Sequence, residues 1–285
     1  MKLNKNHKDS LFSTLFNNPD VLRELYSAIE GITIPQDMPI DINTLTDVFI
    51  KDKINDVSFT IDNRLVILVE HQSTISENLP LRLLEYIGRI YEKIVNYERR
   101  FQKKLEKIPK PEFIVLYNGN ETFPEHKELR LSDAFMDIKG LKQSESEKQP
   151  LELIVNVYNI NQGKNTQILK KSTTLDSYSI LISKIWEYRN SKLTLEESLK
   201  LAIIYCIDNN VLKDFLRKHG SEVFSMLYGE YRLEDEIAVV RREAREESQY
   251  IIAQNALAEG STLEFVQKIT GLDLETIREL NKSHV

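Results

Sequence analysis

Cysteine is almost absent from this chain, and its scarcity excludes several kinds of site. The single cysteine, Cys206, permits no internal disulfide and no zinc site built on a cysteine cluster. The five histidines are scattered and never fall at metal-ligand spacing. Glycine and proline are also scarce, at nine and eight of 285 residues, which is typical of a soluble, helix-rich globular protein.

Long hydrophobic runs are missing as well. The longest apolar run, at 201–207, is far shorter than the roughly 20 residues that a helix needs to span a bilayer. The polar start of the chain, MKLNKNHKDS, contains no visible secretory signal. We therefore expect a cytoplasmic protein that makes no contact with a membrane.

Neither sign of charge dominates, because 38 basic and 44 acidic side chains leave a net charge of −6. This mildly acidic balance argues against a general nucleic-acid coat but permits a local basic surface. One basic cluster suits non-specific attraction to a phosphate backbone. A solvated helix end whose positive charge complements the helix dipole explains the same cluster equally well. The cluster consists of Arg99, Arg100, Lys103, Lys104, Lys107 and Lys110.

Hydrophobic periodicity predicts an α/β region at the start of the chain. Two short helices come first, followed by three strands, a long helix and two further strands. The long helix has the length of a crossover onto a parallel strand. The strands are predicted at 48–52, 57–61, 64–72, 111–119 and 151–160, and the long helix at about 79–106.

From about residue 166 the periodicity is helical throughout. We divide the chain into an α/β domain at 1–165, a helical region at 166–259 and a short helical tail at 260–285. The tail, two predicted helices around Gly271, resembles a helix-turn-helix but lacks the basic residues of a recognition helix. Packing or homo-oligomerisation is therefore the favoured role of the helical C-terminal region. Separate helices are predicted at 174–190, 194–207, 209–218, 221–228 and 232–259.

The strands at 57–61 and 64–72 form a predicted hairpin around Asp62-Asn63-Arg64. Pairing centred on Asn63 puts the odd-numbered apolar residues of both strands on one face, which must be the core. The same pairing puts Asp56 directly opposite Glu70, on the polar face, with Gln72 two residues further along that face.

Two carboxylates at adjacent strand ends repel each other unless a cation lies between them. A hard divalent cation, Mg²⁺ or Mn²⁺, suits oxygen ligands of this kind, and the backbone carbonyl of His71 lies within reach of the same point. Acidic residues at a sheet rim are also commonly solvated, and an aspartate at a strand start is commonly a turn or cap residue. The pattern alone leaves both interpretations open.

The stretch DVSFTIDNRLVILVEHQ resembles the active-site hairpin of the PD-(D/E)XK nuclease superfamily. It is most similar to the Rpn family (recombination-promoting nuclease/putative transposase), in which glutamine replaces the last lysine of the superfamily motif, as at Gln72. Further stretches are similar to the opening helix, the long helix and the following strand of that family. These stretches are DSLFSTLF, LRLLEYIGRIYEKIV and FIVLYNGNETFPEHKELRLSDAF.

The resemblance implies a restriction-endonuclease-like core, a mixed central sheet flanked by helices, and a metal-dependent DNA endonuclease. It implies that Asp56 and Glu70 bind Mg²⁺ or Mn²⁺ and that Gln72 occupies the catalytic lysine position. Asp9 is the first candidate for an additional acidic residue, and Glu24 is its competitor. The implied reaction is metal-assisted hydrolysis of a phosphodiester.

Arg82, Tyr86 and Arg89 recur along one face of the long helix and are candidate phosphate contacts, together with Arg99, Arg100 and Lys103 of the basic cluster. In the alternative interpretation, Tyr86 packs into the core and the arginines pair with neighbouring glutamates. The leading prediction is Mg²⁺-dependent DNA cleavage associated with recombination or mobile elements. The alternatives are a catalytically weak DNA-binding protein and a protein-interaction protein that retains the nuclease fold.

Overall fold

The computed structural model describes residues 10–42, 55–71, 75–136 and 150–282, and for several strand and helix residues it describes the backbone alone. The helices are α1 (Leu11–Phe16), α2 (Pro19–Glu30), α3 (Leu79–Ile94), α4 (Thr166–Lys171), α5 (Thr173–Asn190), α6 (Leu195–Asp208), α7 (Lys213–Ala258), α8 (Leu263–Thr270) and α9 (Leu274–Lys282). The strands are β1 (Ile40–Ile42), β2 (Asn55–Ile61), β3 (Arg64–His71), β4 (Lys110–Tyr117), β5 (His126–Arg130) and β6 (Ile154–Asn159).

The six strands form one mixed sheet in the order β1-β2-β3-β4-β6-β5. Strand β2 pairs antiparallel with both β1 and β3. Strand β4 pairs parallel with both β3 and β6, and the outermost strand β5 pairs antiparallel with β6. The parallel pairing of β3 with β4 agrees with a crossover through α3. The predicted fold class, a mixed sheet flanked by helices and followed by an all-helical region, is confirmed.

One face of the sheet packs against α3 through a continuous apolar core. Ile67 of β3 lies in register with Phe113 of β4, which lies in register with Val155 of β6. Ile90 of α3 is fully buried in the same cluster. Burying an apolar side chain of this size stabilises the fold by roughly 1.5–3 kcal/mol, so this core fixes the three central strands.

Apolar side chains also cover the opposite face of the sheet, as expected for strands that lie between helices. The ring of Tyr26 on α2 meets Phe59 of β2 edge-on, with centroids 5.9 Å apart. Helix α1 begins at a capping box formed by Ser10 and Ser13. The ring of Phe12 on α1 packs against the ring of Tyr178 on α5, with centroids 5.8 Å apart. Ser10 therefore caps the first helix.

Helix α3 ends at Ile94, twelve residues before the predicted end at about 106. Val95 has an extended backbone, and the side chain of Asn96 accepts a hydrogen bond from the Glu98 amide at the start of a short 3₁₀ turn. The guanidinium of Arg100 donates to carbonyl oxygens in the last turn of α3, at 2.7 Å from that of Glu92. These contacts satisfy the end of the helix, so the apolar pattern beyond it does not continue as helix.

Three predicted helices after residue 209 are instead the single 46-residue helix α7. The chain divides into two compact units, one up to Tyr228 and one from Gly229 onward, with the division inside α7. This division differs from the domain boundaries predicted after residues 165 and 259, and those boundaries stay a prediction. In the second unit, Leu257 of α7, Val266 of α8 and Ile277 of α9 share a small apolar core.

The remaining predicted strands and helices agree with the structure only in part. Strand β5 has no counterpart in the sequence-based prediction, and the strand predicted at 48–52 lies outside the described residues. The two helices around Gly271 are confirmed, with Gly271 at φ +74° ending α8. No described helix combines the length and the apolar character that a membrane span requires.

Candidate active site

The parallel strands β3, β4 and β6 end at one edge of the sheet, which we call the carboxyl edge. There His71 lies in register with Tyr117, and Tyr117 with Asn159. The antiparallel strand β2 begins at this same edge, so Asp56 and Glu70 both occupy backbone positions beside it. Open α/β sheets build their ligand sites at the carboxyl ends of parallel strands. Positions 56 and 70 therefore lie at adjacent strand ends, as the sequence predicts.

The pairing of Asp56 with Glu70 that we predicted from the sequence is wrong by one residue. Glu70 is paired with Asn55, and Asp56 is paired with Val69. The reason is the turn, which has two residues instead of three: Asp62 and Asn63 both have positive φ, at 42° and 59°. Positive φ at both central residues is the geometry that matches the twist of a two-residue hairpin.

The shorter turn also separates the apolar residues that we had assigned to one face. Phe59 lies opposite Val66, and Ser58 lies opposite Ile67. Residues opposite each other share a face, so the odd-numbered residues of β2 lie on one face and the odd-numbered residues of β3 lie on the other. In the same register, positions 56 and 70 belong to different faces of the ladder. The described pairing is regular from Ile61 with Arg64 to Asn55 with Glu70, so one ion bound by both carboxylates requires a β-bulge that this register does not contain.

The structure describes the backbone alone at Asp56, Glu70 and His71, and both Gln72 and Asp9 lie outside the described residues. The roles assigned to these five residues therefore stay predictions. Among the side chains that the structure does describe, no three histidine, cysteine, aspartate or glutamate residues come close enough to hold a metal ion.

Asn118, the residue that follows β4, is the most unusual polar group at the carboxyl edge. Its side chain is 1% exposed, and neither its amide oxygen nor its amide nitrogen has a hydrogen-bond partner within the described part of the chain. A buried polar group normally has a partner, and the exceptions concentrate where a ligand, an ion or water completes the site. From the sequence alone, Tyr117, Asn118 and Gly119 end a predicted strand and are interpreted first as loop-forming residues, so this feature is missed. The signal was a polar residue placed directly after the continuous apolar run FIVLY.

Hydrogen bonds hold the loops on either side of Asn118 in place. The amide nitrogen of Asn161 donates to the carbonyl of Gly119 at 2.9 Å, and that of Asn159 donates to the carbonyl of Phe123 at 2.9 Å. The hydroxyl of Tyr117 donates to the carbonyl of Glu121 at 3.2 Å. The loop-forming role expected of Tyr117 and Gly119 is confirmed, and the amide of Asn118 is held in a fixed frame.

A shallow, polar groove opens beside this frame. Its lining comes from the loops after β4 and β6 and from one side of α5. The lining residues are Gly119, Asn120, Glu121, Thr122, Asn161, Gln162, Ser183 and Trp186.

Comparison with known families matches residues 6–203 to the family described as "Putative transposase, YhgA-like". The chain belongs to this family. The match covers the whole sheet and the helices up to α6, and it agrees with the resemblance to the Rpn family stated above. The description associates this transposase family with mobile genetic elements. No curated protein and no solved structure matches the chain.

Tyr86 was one of the residues predicted to contact DNA, and the structure contradicts that prediction. Its side chain is 4% exposed and belongs to the core beneath α3, so it packs in the interior instead of contacting phosphate. Arg89 is exposed and Arg82 half-buried on the same helix, and both take part in interactions within the protein. Their roles in DNA binding stay predictions.

Arg99, Arg100 and Lys103 lie at the edge of the sheet opposite the candidate active site. Lys110, at the end of their segment, is in register with Arg64 at the start of β3, seven residues before His71. With about 3.3 Å per residue, the two edges are roughly 23 Å apart. Arg99 forms an ion pair with Glu106 at 3.0 Å, and Arg100 donates to the carbonyls at the end of α3. The role predicted for this cluster, non-specific attraction to a phosphate backbone, stays a prediction.

Glu24 of α2, the competitor of Asp9 for the additional acidic role, lies among the described residues. It is half-buried, and one of its carboxylate oxygens, Oε1, is enclosed without a hydrogen-bond partner among them. A buried carboxylate oxygen without a partner is costly in the free energy of folding. Glu24 therefore keeps its place as a candidate site residue.

Proposed function

We propose that this transposase-family protein is a metal-dependent DNA endonuclease that hydrolyses phosphodiester bonds and acts with mobile elements or in recombination. The observation that carries the proposal is the carboxyl edge of the sheet. Two carboxylate residues occupy strand ends there, and the buried amide of Asn118 has no partner among the described residues. Membership of the family supports the association with mobile elements.

Mg²⁺ or Mn²⁺ fits this edge by the chemistry of its donors. Asp56 and Glu70 would supply carboxylate oxygens, His71 would supply its backbone carbonyl, and Asn118 has an amide oxygen available. Oxygen donors of these types are the ones that hard divalent cations prefer. When bound, such an ion supplies positive charge for the scissile phosphate and for activating a water.

The side chains of the protein would bind and orient the reactants. Gln72 is neutral and cannot stabilise negative charge as a lysine would, but its amide can orient the attacking water by hydrogen bonds. The amide nitrogen of Asn118 would donate to an oxygen of the phosphate or of that water. Glu24 or Asp9 would supply a further acidic group from the opening helices. Arg82 and Arg89, on α3, would contact the DNA backbone.

One observation favours a second candidate function. The hairpin register separates positions 56 and 70, and its described pairs contain no bulge. A ladder that stays regular would leave the two carboxylates unable to share an ion. The protein would then be a catalytically weak DNA-binding or protein-interaction protein that keeps the nuclease fold. Homo-oligomerisation through the helical C-terminal region also remains a prediction.

A nicking assay on supercoiled plasmid separates the two candidates. Purified wild-type protein is expected to convert the plasmid to open-circle or linear DNA with Mg²⁺ or Mn²⁺ and not with EDTA. A Glu70→Gln variant, purified in parallel, is expected to be inactive, and it controls for contaminating nucleases. DNA binding without metal-dependent cleavage would select the second candidate.

A further inference from the structure

We propose that residues 94–108, which connect α3 to β4, form a binding surface for single-stranded DNA. Unstacked bases would lie on the rings of Tyr97 and Phe101, and nearby lysines would contact the phosphates. We call residues 94–108 the basic–aromatic segment. The proposal rests on the proposed function only in its choice of DNA as the partner, because binding can be measured without cleavage.

The exposed rings of the segment are the first observation. Tyr97 is 70% exposed and Phe101 is 73% exposed, and their centroids lie 5.0 Å apart. Two neighbouring aromatic rings this exposed cost hydrophobic free energy in an isolated protein. Three aliphatic side chains of the same segment, Ile94, Leu105 and Ile108, are at least 44% exposed as well. Exposed apolar side chains concentrated in one short segment are typical of an interaction surface.

The charge of the segment defines its partner. Between residues 93 and 110 there are seven basic and two acidic side chains, in a chain whose net charge is −6. Lys103, Lys104 and Lys107 are exposed, and within the described part of the protein none of them forms an ion pair. The surface is therefore locally positive, which complements a polyanion.

The backbone of the segment is anchored at both ends. The hydroxyl of Tyr91 on α3 donates to the carbonyl of Pro109 at 2.7 Å. The amide of Lys110 donates to the carbonyl of Asn63 in the hairpin turn at 2.9 Å. Arg100 fixes the start of the segment through its bonds to the end of α3, with the Glu92 carbonyl at 2.7 Å. A preorganised surface loses less conformational entropy when a ligand binds.

Single-stranded DNA fits these features better than duplex DNA or a membrane. Aromatic rings can stack only on bases that are already unpaired, and base–aromatic stacking with lysine contacts is the usual mode of single-strand binding. An amphipathic helix is a common element for binding in the plane of an acidic membrane. This segment is irregular, with one four-residue 3₁₀ turn at Glu98–Phe101.

The distance to the carboxyl edge gives the surface its use. The segment leads into Lys110, which starts β4 seven residues, and so roughly 23 Å of strand, before the position in register with His71. It would hold an unpaired stretch of the substrate at a distance from the bond to be cut. The transposase-family protein would then prefer substrates with a single-stranded region, such as a gap or a displaced strand.

Fluorescence anisotropy of the full-length protein tests this proposal, with a labelled oligo(dT) 20-mer in EDTA so that no cleavage occurs. A Tyr97→Ala/Phe101→Ala variant is expected to raise the Kd by about tenfold or more, the scale of one or two lost stacking contacts. The matched control is Tyr250→Ala/Phe265→Ala, since Tyr250 and Phe265 are 40% and 51% exposed in the second compact unit. The control is expected to bind like wild type.

A charge variant provides the second measurement. Lys103→Ala/Lys104→Ala/Lys107→Ala is expected to reduce the slope of log Kd against log salt by about two, which reflects three lost phosphate contacts. It keeps the test decisive if the aromatic variant does not fold. The proposal would be overturned if the Kd for oligo(dT) and its salt slope were unchanged in both variants, or if the control lost as much affinity as the aromatic variant. It would also be overturned if the wild type bound oligo(rU) more tightly than oligo(dT), or if the variants lost affinity only for phosphatidylserine vesicles.

Discussion

The polar side chains at the two ends of the central strands differ in whether they have hydrogen-bond partners. At the edge where β4 begins, the side chains of Tyr26, Arg64 and Glu112 satisfy one another. Arg64 donates to the phenol oxygen of Tyr26 and to the carboxylate of Glu112, each at 3.0 Å. At the carboxyl edge, Asn118 is more deeply buried than Arg64 or Glu112, yet within the described residues its amide has no hydrogen-bond partner.

The difference separates a structural cluster from a functional one. At the first edge, burial and the hydrogen bond to Glu112 raise the pKa of Tyr26, so the phenol stays protonated and the cluster holds one stable charge state. Burial raises the pKa of Glu30, which lies 3.8 Å from Arg64. Groups that satisfy one another have little left to offer a ligand, whereas an enclosed amide without a partner can still bind one.

Removing one carboxylate at each edge gives the largest expected contrast. Asp56→Asn is expected to lower the rate of plasmid nicking by about 10³-fold or more, because a preorganised electrostatic group of the site is lost. Glu112→Gln removes a carboxylate at the opposite edge and is expected to leave nicking per folded molecule unchanged. Nicking assays with both variants, normalised to folded protein by circular dichroism, check this. Equal losses in the two variants would contradict the assignment of chemistry to one edge.

Gln72 should follow with a smaller loss. If it occupies the catalytic lysine position, Gln72→Ala is expected to reduce turnover by about 10²-fold, with little change in DNA affinity. Gln72→Lys restores the usual residue of the superfamily and is expected to retain or raise activity. Single-turnover cleavage together with DNA binding in EDTA separates the two quantities. Cleavage by Gln72→Ala at the wild-type rate would limit the site to the carboxylates.

Asn118 gives the next expected effect, and it opposes stability to activity. Asn118→Leu keeps a similar volume and removes an amide that has no described partner, so the free energy of unfolding is expected to stay the same or rise. Nicking is expected to fall about tenfold, because the amide no longer binds in the site. Denaturant unfolding and the nicking assay measure the two effects. A large loss of stability would mean that the amide serves the fold.

The smallest expected effect is at the edge where β4 begins. Tyr26→Phe is expected to lower the free energy of unfolding by about 1 kcal/mol and to leave cleavage unchanged. The raised pKa of Tyr26 means that its protonated form stabilises the fold below the ordinary tyrosine pKa of about 10, and this stabilisation is lost at higher pH.

Urea unfolding between pH 7 and 11 measures this effect. Wild type is expected to lose stability more steeply than Tyr26→Phe above about pH 10. Some slope should remain in the variant, because burial also raises the pKa of Tyr91 and Tyr158. Identical slopes in the two proteins would show that the phenol of Tyr26 is not part of the buried cluster.

The sequence predicted that the hairpin exists but not how its strands pair. Asp62 and Asn63 were recognisable turn residues, yet a two-residue and a three-residue turn fit the same letters. The choice between them depends on whether both residues adopt positive φ, which strand twist decides. That single residue of difference moves Asp56 from opposite Glu70 to opposite Val69.

Side-chain contacts also could not be predicted from the hydrophobic periodicity of the sequence. The spacing of Tyr86 suited either the core or the surface, and only packing of α3 on the sheet assigned it to the core. The end of α3 depended on Arg100, whose contacts with helix carbonyls a pattern cannot show. The importance of Asn118 depended on the absence of a partner among the described residues, which is a property of the folded structure.

A crystal structure of the wild-type protein grown with Mn²⁺, with the ion located by anomalous scattering, tests the central claim most directly. We expect Mn²⁺ at the carboxyl edge, bound by carboxylate oxygens of both Asp56 and Glu70 through a β-bulge at the end of the hairpin, with the Asn118 amide facing the same site. A crystal that keeps the regular pairing of Asn55 with Glu70 and holds no ion at this edge would contradict the account.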